Sequence, residues 1–99
     1  MVTLKEDYGV DPQDPEQHIK QYYVNESVGI AVGLLIAGLH QVGLAVLTHT
    51  PNPMGFLREL LDRPRNERPY LHMPVGYPAA VCRVPVLTKK PLSGVLIHR

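Results

Sequence analysis

The sequence predicts an α+β fold in which one long buried helix packs on a small, mainly antiparallel sheet, and three observations carry that expectation. Val28 to Leu47 contains no charged residue, so most of a helix there is free to face apolar neighbours. Short β-prone runs at Val2 to Lys5, Leu44 to Leu47 and Pro69 to Val75 alternate with Pro- and Gly-rich punctuation, the pattern of short strands joined by turns. Gly29, Gly33 and Ala37 recur at spacings of four, which puts them along one stripe of a helix.

Val2 to Lys5 opens the chain as a strand, and DYGVDPQDP after it reads as a loop. From Gln17 the sequence is helix-permissive, with Asn25 or Ser27 placed to cap and Glu26 to complement the helix dipole in the first turn. That helix is expected to run to about Val42 and to be covered on more than one side. Each glycine in its stripe lowers helix propensity by roughly 1 kcal/mol relative to Ala. A closely approaching partner helix is the expected compensation. Gly43 suits the left-handed residue that ends a helix. The continuous apolar run Leu44 to Leu47 then reads as a strand covered on both faces.

After Pro51, Asn52 is placed to cap and Pro53 to begin a short amphipathic helix over Met54 to Leu61. Leu57, Leu60 and Leu61 are expected inward, and Arg58, Glu59 and Asp62 outward. Arg63-Pro64 stops it, Arg65 to Pro69 is a charged loop, and Gly76-Tyr77-Pro78 ends the strand that follows. The remainder is a proline-punctuated tail in which Pro91 to Ile97 forms a last helical turn or strand. Its apolar residues have little local core to bury against, so docking on a second subunit is expected.

A length of 99 residues fits a single domain, residues 1–99, that buries a smaller share of its surface than an average one. Ten Lys and Arg against nine Asp and Glu leave no strong field, so composition gives no reason to expect nucleic acid as a partner. With Cys82 the only cysteine, no internal disulfide or cysteine metal cluster is possible, and a reducing cytoplasm is the default compartment. The uncharged window has the length of a membrane span. His40, Gln41 and four glycines dilute it, and its flanks carry no cluster of Lys or Arg, which favours a buried helix running into a strand.

The candidate site is the turn Thr48-His49-Thr50 at the end of the predicted strand, where three hydrogen-bonding side chains emerge near a helix N-terminus. Such places bind polar ring edges and anions. On residue types alone, the commoner reading is that the two threonines satisfy backbone groups at a strand end. A second candidate is the basic pair Lys89 and Lys90, for which a solvated surface is the ordinary reading. The histidines at 18, 40, 49, 72 and 98 show no ligand spacing of a known metal motif, so no metal site is expected. Ser27 and Ser93 lack a nucleophile-elbow setting. Cys82, beside Arg83, is more often an inert thiol than a reactive one. Tyr22 and Tyr23 read as packing aromatics.

Taken together, YYVNESVGIA, GLAVLTHTPNPMGFL, the RPRNERP loop and PVGYP resemble the nitroreductase family of FMN oxidoreductases, in its iodotyrosine deiodinase-like branch. The resemblance runs from about Val2 to the C-terminus and corresponds to the C-terminal half of the family's pattern. It implies a partial nitroreductase-like fold and an intertwined homodimer or higher homo-oligomer built on the long helix and the C-terminal arm. It also implies FMN as cofactor, with a reduced nicotinamide as a possible electron donor, and nitroaromatic, quinone or halogenated phenol substrates. Thr48, His49 and Thr50 then contact the flavin ring, with the Thr50 hydroxyl at flavin N5 as the catalytic contact. Lys89 stands where the family has an arginine for the FMN phosphate, keeping the charge without the planar fork. The Arg-rich segment and substrate lid of the family's N-terminal half lie outside the matched pattern. The alternative is a catalytically silent oligomeric fragment without flavin.

Overall fold

The computed structural model describes residues 1–99. Strand β1, Val2–Glu6, pairs antiparallel with β5, Glu67–His72, with an irregularity between Thr3 and Leu4. Beyond His72 the same stretch of chain changes neighbour. Strand β6, Val75–Gly76, pairs antiparallel with β4, Ala45–Val46, and His49 bridges back to His72. The run from Glu67 to Gly76 is thus shared between two partners, β1 on one side and the segment from Ala45 to His49 on the other. A separate ribbon pairs β2, Tyr8–Val10, with β3, His18–Lys20.

Helix α1, Val24–Gln41, lies against β1 and β4. Its start differs from expectation. Neither Asn25 nor Ser27 caps it: Tyr23 is the N-cap, in the left-handed region at φ 57, with no side-chain cap bond. Asn25 accepts a hydrogen bond from Lys5 Nζ at 3.0 Å instead, while Ser27 sits within the first turn, its N–H bonded to the Tyr23 carbonyl at 2.9 Å. At the other end Gly43, φ 83, takes the left-handed conformation foreseen for it.

Only one face of α1 is covered. Val32 is its one buried residue, whereas Ile30 and Leu34 stay 67% and 71% exposed. The glycine stripe divides along the same line. At Gly29 an added Cβ would lie 3.3 Å from the Tyr70 hydroxyl, so that glycine permits close approach to the helix's own sheet, while nothing stands within 4 Å of the corresponding point at Gly33. The expectation of burial on several sides therefore does not hold within one chain.

Several local expectations are corrected by pairing. Tyr8 to Val10 was expected in a loop and the residues from Gln17 in helix-permissive chain, yet the two form a ribbon in which the Tyr8 and His18 rings stack at 3.8 Å. The strand expected from Pro69 to Val75 starts earlier and is interrupted, giving β5 and β6. Met54 to Leu61 shortens to α2, Phe56–Leu60, with Gly55 as N-cap. Asn52 does not cap it, and Pro53, joined to Asn52 by a cis peptide, precedes the helix. Leu57 is buried, but Leu60 is 72% exposed and Leu61 also faces outward. Leu47 is likewise exposed, so the segment around β4 is not covered on both faces.

Val32, Leu57 and Met73 form the buried apolar set. Every residue from Gly76 to Arg99 is exposed, including a short 3-10 turn at Leu92–Gly94. No helix is long and apolar enough to cross a membrane.

Candidate functional site

The turn at Thr48 to Thr50 is positioned by the pairing that precedes it. Strand β4 is held to β6, the Leu47 N–H bonds the Pro74 carbonyl at 3.2 Å, and His49 exchanges both peptide hydrogen bonds with His72 at 2.9 Å each. The backbone is thereby fixed on both sides of Thr48, and all three side chains are exposed. The side-chain hydrogen bonds of the fold do not involve either threonine hydroxyl. The strand-end reading, in which these hydroxyls serve local backbone, is therefore not what the structure shows. Both remain available to an external partner.

Lys89 lies in the exposed tail and belongs to none of the three ion pairs of the fold, which join Lys5 and Arg68 to Asp7 and Arg63 to Glu67. No side-chain hydrogen bond or ion pair joins Lys89 to the turn.

Two concave features adjoin the paired segments. An open apolar cleft of about 560 Å³ is lined by Val46, Leu47, Pro74 and Val75, with Cys82 and Val84 reaching it from the tail. A more polar one of about 420 Å³ lies between α2 and β5, with Arg58, Glu59 and Arg68 on its walls. In the sequence Arg58 reads only as an outward residue of the short helix and Arg68 only as part of a charged loop, so nothing there marks them as walls of one cleft.

The structure also brings His72 beside His49, their Nδ1 atoms 3.4 Å apart. Twenty-three positions separate them, so no sequence spacing marks the pair. No group of three or more His, Cys, Asp and Glu side chains is clustered for a metal ion. Arg63 and Glu67 depart from their ordinary ionisation behaviour. Their two-pronged hydrogen bond, at 2.7 and 2.8 Å, lowers the Glu67 carboxyl and raises the Arg63 guanidinium, with their mutual attraction acting in the same direction.

Comparison with known proteins points one way. The chain is 50% identical over 97 residues to iodotyrosine deiodinase of Haliscomenobacter hydrossis, covering 98% of this chain and 43% of that protein. It is 42% identical over 99 residues to the Nematostella vectensis enzyme of that name, covering 98% and 36% respectively. It is 45% identical over 80 residues to human iodotyrosine deiodinase 1, covering 79% and 28%. A crystal structure of oxidized iodotyrosine deiodinase bound to FMN and 3-iodo-L-tyrosine superposes with a TM-score of 0.57 at 31% identity, over 71% of this chain and 40% of that one. No protein-family profile matches. The chain spans less than half the length of these relatives. With a mixed helix-and-sheet fold shared with the FMN-bound structure and half its residues identical to a named relative, this chain belongs to the iodotyrosine deiodinase-like branch of the nitroreductase family.

Proposed function

We propose that this chain supplies the flavin-edge and pairing elements of an FMN-dependent reductive enzyme, with Thr48, His49 and Thr50 along the flavin ring. The observation that supports the reading is the exposed turn with two unengaged hydroxyls, held on a backbone fixed by β4, β6 and the His49–His72 bridge. Its donors suit a polar ring edge. FMN, when bound, carries electrons between a donor such as a reduced nicotinamide and the substrate. The Thr50 hydroxyl is assigned to N5, where a hydrogen bond biases the balance between one- and two-electron reduction. His49 is assigned backbone contact with the ring. Lys89 is assigned to the phosphate as a point charge, delivered by the tail.

Among the substrate classes of the wider family, a halogenated phenol is favoured over a nitroaromatic or a quinone. The relatives' shared name and the 3-iodo-L-tyrosine in the neighbouring structure support this choice. Two electrons and a proton then replace the carbon–halogen bond by carbon–hydrogen, and the halide leaves.

A homodimer or higher homo-oligomer is part of the same proposal, with the open face of α1 as the contact. That face presents Ile30, Leu34, Gly33 and Ala37 without charge, and a second copy of the helix fits against its small residues.

The test is flavin binding followed by substitution. A yellow preparation that releases FMN on denaturation, or a colourless one that takes up added FMN with fluorescence quenching, is expected. Thr50→Ala is then expected to bind FMN and to change the flavin potential and the electrons taken up per step. Unchanged reduction behaviour in Thr50→Ala would remove its role at N5. A folded oligomer that ignores FMN would favour the second reading, a catalytically silent oligomeric module, which the exposure of Lys89 in a tail that forms no ion pair supports.

A further inference from the structure

His49 and His72 face each other directly across two antiparallel segments. Each peptide N–H bonds the other residue's carbonyl at 2.9 Å, so both imidazoles rise on the same face with little freedom in their Cβ positions. Their Nδ1 atoms stand 3.4 Å apart, with the rings edge-on at 61°. For an N–H···N hydrogen bond that separation is long, since good ones fall near 3 Å. It is, however, the spacing a tetrahedral ion imposes: two nitrogens each 2.0–2.1 Å from a metal and about 109° apart lie roughly 3.3–3.4 Å from one another.

We propose that His49 and His72 form a two-histidine chelate for a borderline divalent transition ion, of the zinc or copper class. Imidazole nitrogen sets the class, because hard cations such as magnesium and calcium require oxygen donors. No carboxylate or thiolate completes a protein cluster, so water or an exogenous ligand occupies the remaining positions and affinity is modest. His49 is exposed and His72 half-buried, which leaves the nitrogens reachable without unfolding. Preorganisation comes from both sides of β5, because His72 is also paired with Val2 and the adjoining Met73 N–H bonds the Met1 carbonyl at 2.7 Å. Alternation along the extended chain sets the His49 ring opposite Thr48 and Thr50, so the ion does not compete for the hydroxyls of the turn.

The experiment is a calorimetric titration of the whole chain with Zn²⁺ in a non-coordinating buffer, alongside Cu²⁺-induced line broadening in amide NMR spectra. One saturable site per chain is expected, with broadening centred on residues 48–50 and 71–73. His49→Gln and His72→Gln are each expected to weaken Zn²⁺ binding at least tenfold, while Cys82→Ser and His98→Gln leave it unchanged. Zn²⁺ binding that survives both glutamine variants, or that is lost with Cys82→Ser, would overturn the proposal. Broadening of the unsubstituted protein centred elsewhere would do so too, and that readout holds even if a variant fails to fold.

Discussion

At the residue scale, the best-defined electrostatic contact is the pair formed by Arg63 and Glu67. Asp62, at φ 50, turns the chain out of α2, and the two-pronged bond from Arg63 to Glu67 then ties that turn to the start of β5. Hydrogen bonding to Arg63 holds the Glu67 carboxyl below its ordinary value of 4.5. Because the folded-state pKa is lowered, the contribution to stability is complete above the ordinary carboxylate range and is lost as pH falls through the folded value. The pair lies at the surface, so its contribution is small and screened by salt. In an NMR titration the Glu67 midpoint is expected below 4.5, returning to the ordinary range in Arg63→Gln. Equal midpoints in the two proteins would show that the contact does not form. Tyr23 illustrates the same scale differently. A bulky residue in the left-handed region is rare, and its position at the start of α1 gives the helix an entry that no capping side chain provides.

At the element scale, α1 has one face covered by its own sheet and one left open. Val28, Gly29, Val32, Leu35, Ile36 and Leu39 turn toward the chain's own sheet, all buried or half-buried. Ile30, Ala31, Leu34, Ala37 and Gly38 are exposed on the other side. Removing a Leu or Ile side chain from water contributes about 2 kcal/mol, so the open face has enough apolar surface to hold a second helix. Leu34→Ala separates the two roles. Within one chain Leu34 already faces solvent, and the intrinsic stability of the chain is expected to change by less than about 0.5 kcal/mol. Association is expected to weaken by about 2 kcal/mol, roughly thirtyfold in dissociation constant. Light scattering over a dilution series checks this. A dissociation constant that does not move would place the interface elsewhere.

At the scale of the whole molecule, one chain exposes too much surface for its length. Its accessible area is 8530 Å², about half as much again as the roughly 5,600 Å² typical of a folded monomer of this mass. Its radius of gyration is 17.8 Å, against about 13 Å for a compact domain of this size. The excess lies in the open face of α1 and in the tail, where Val84 is 78% exposed and Val86 fully so. The proposed oligomer would give these apolar tail residues, which have no core of their own, a neighbouring subunit to pack on. Deleting the chain after Val86 is therefore expected to leave the β1–β5 pairing intact and to raise the dissociation constant at least tenfold. An unchanged oligomer on size-exclusion chromatography with light scattering would show that the arm does not cross to a partner. The same deletion removes Lys89, so reduced FMN affinity is expected with it.

Much of the element order was legible in the sequence, because it follows from nearest-neighbour chemistry. The charge-free run specified α1, Gly43 specified its end, and the β-prone Val2 to Lys5 specified β1. The threonine-rich turn was marked by hydroxyls following an apolar run. What escaped was decided by pairing across distance. His18 to Lys20 becomes a strand only because Tyr8 to Val10 lies alongside it, Asn25 gives up its cap because Lys5 reaches it, and His72 meets His49 only through register. Propensity is a property of a few adjacent residues, whereas register is a property of two segments that must find each other. The sequence thus determined which segments are helical, which carry hydroxyls and how much apolar surface the chain contains. Tertiary structure alone decided which face of α1 is spent on its own sheet, that the threonine hydroxyls stay unengaged, and that His49 and His72 stand side by side, because each depends on segments distant in sequence being brought together.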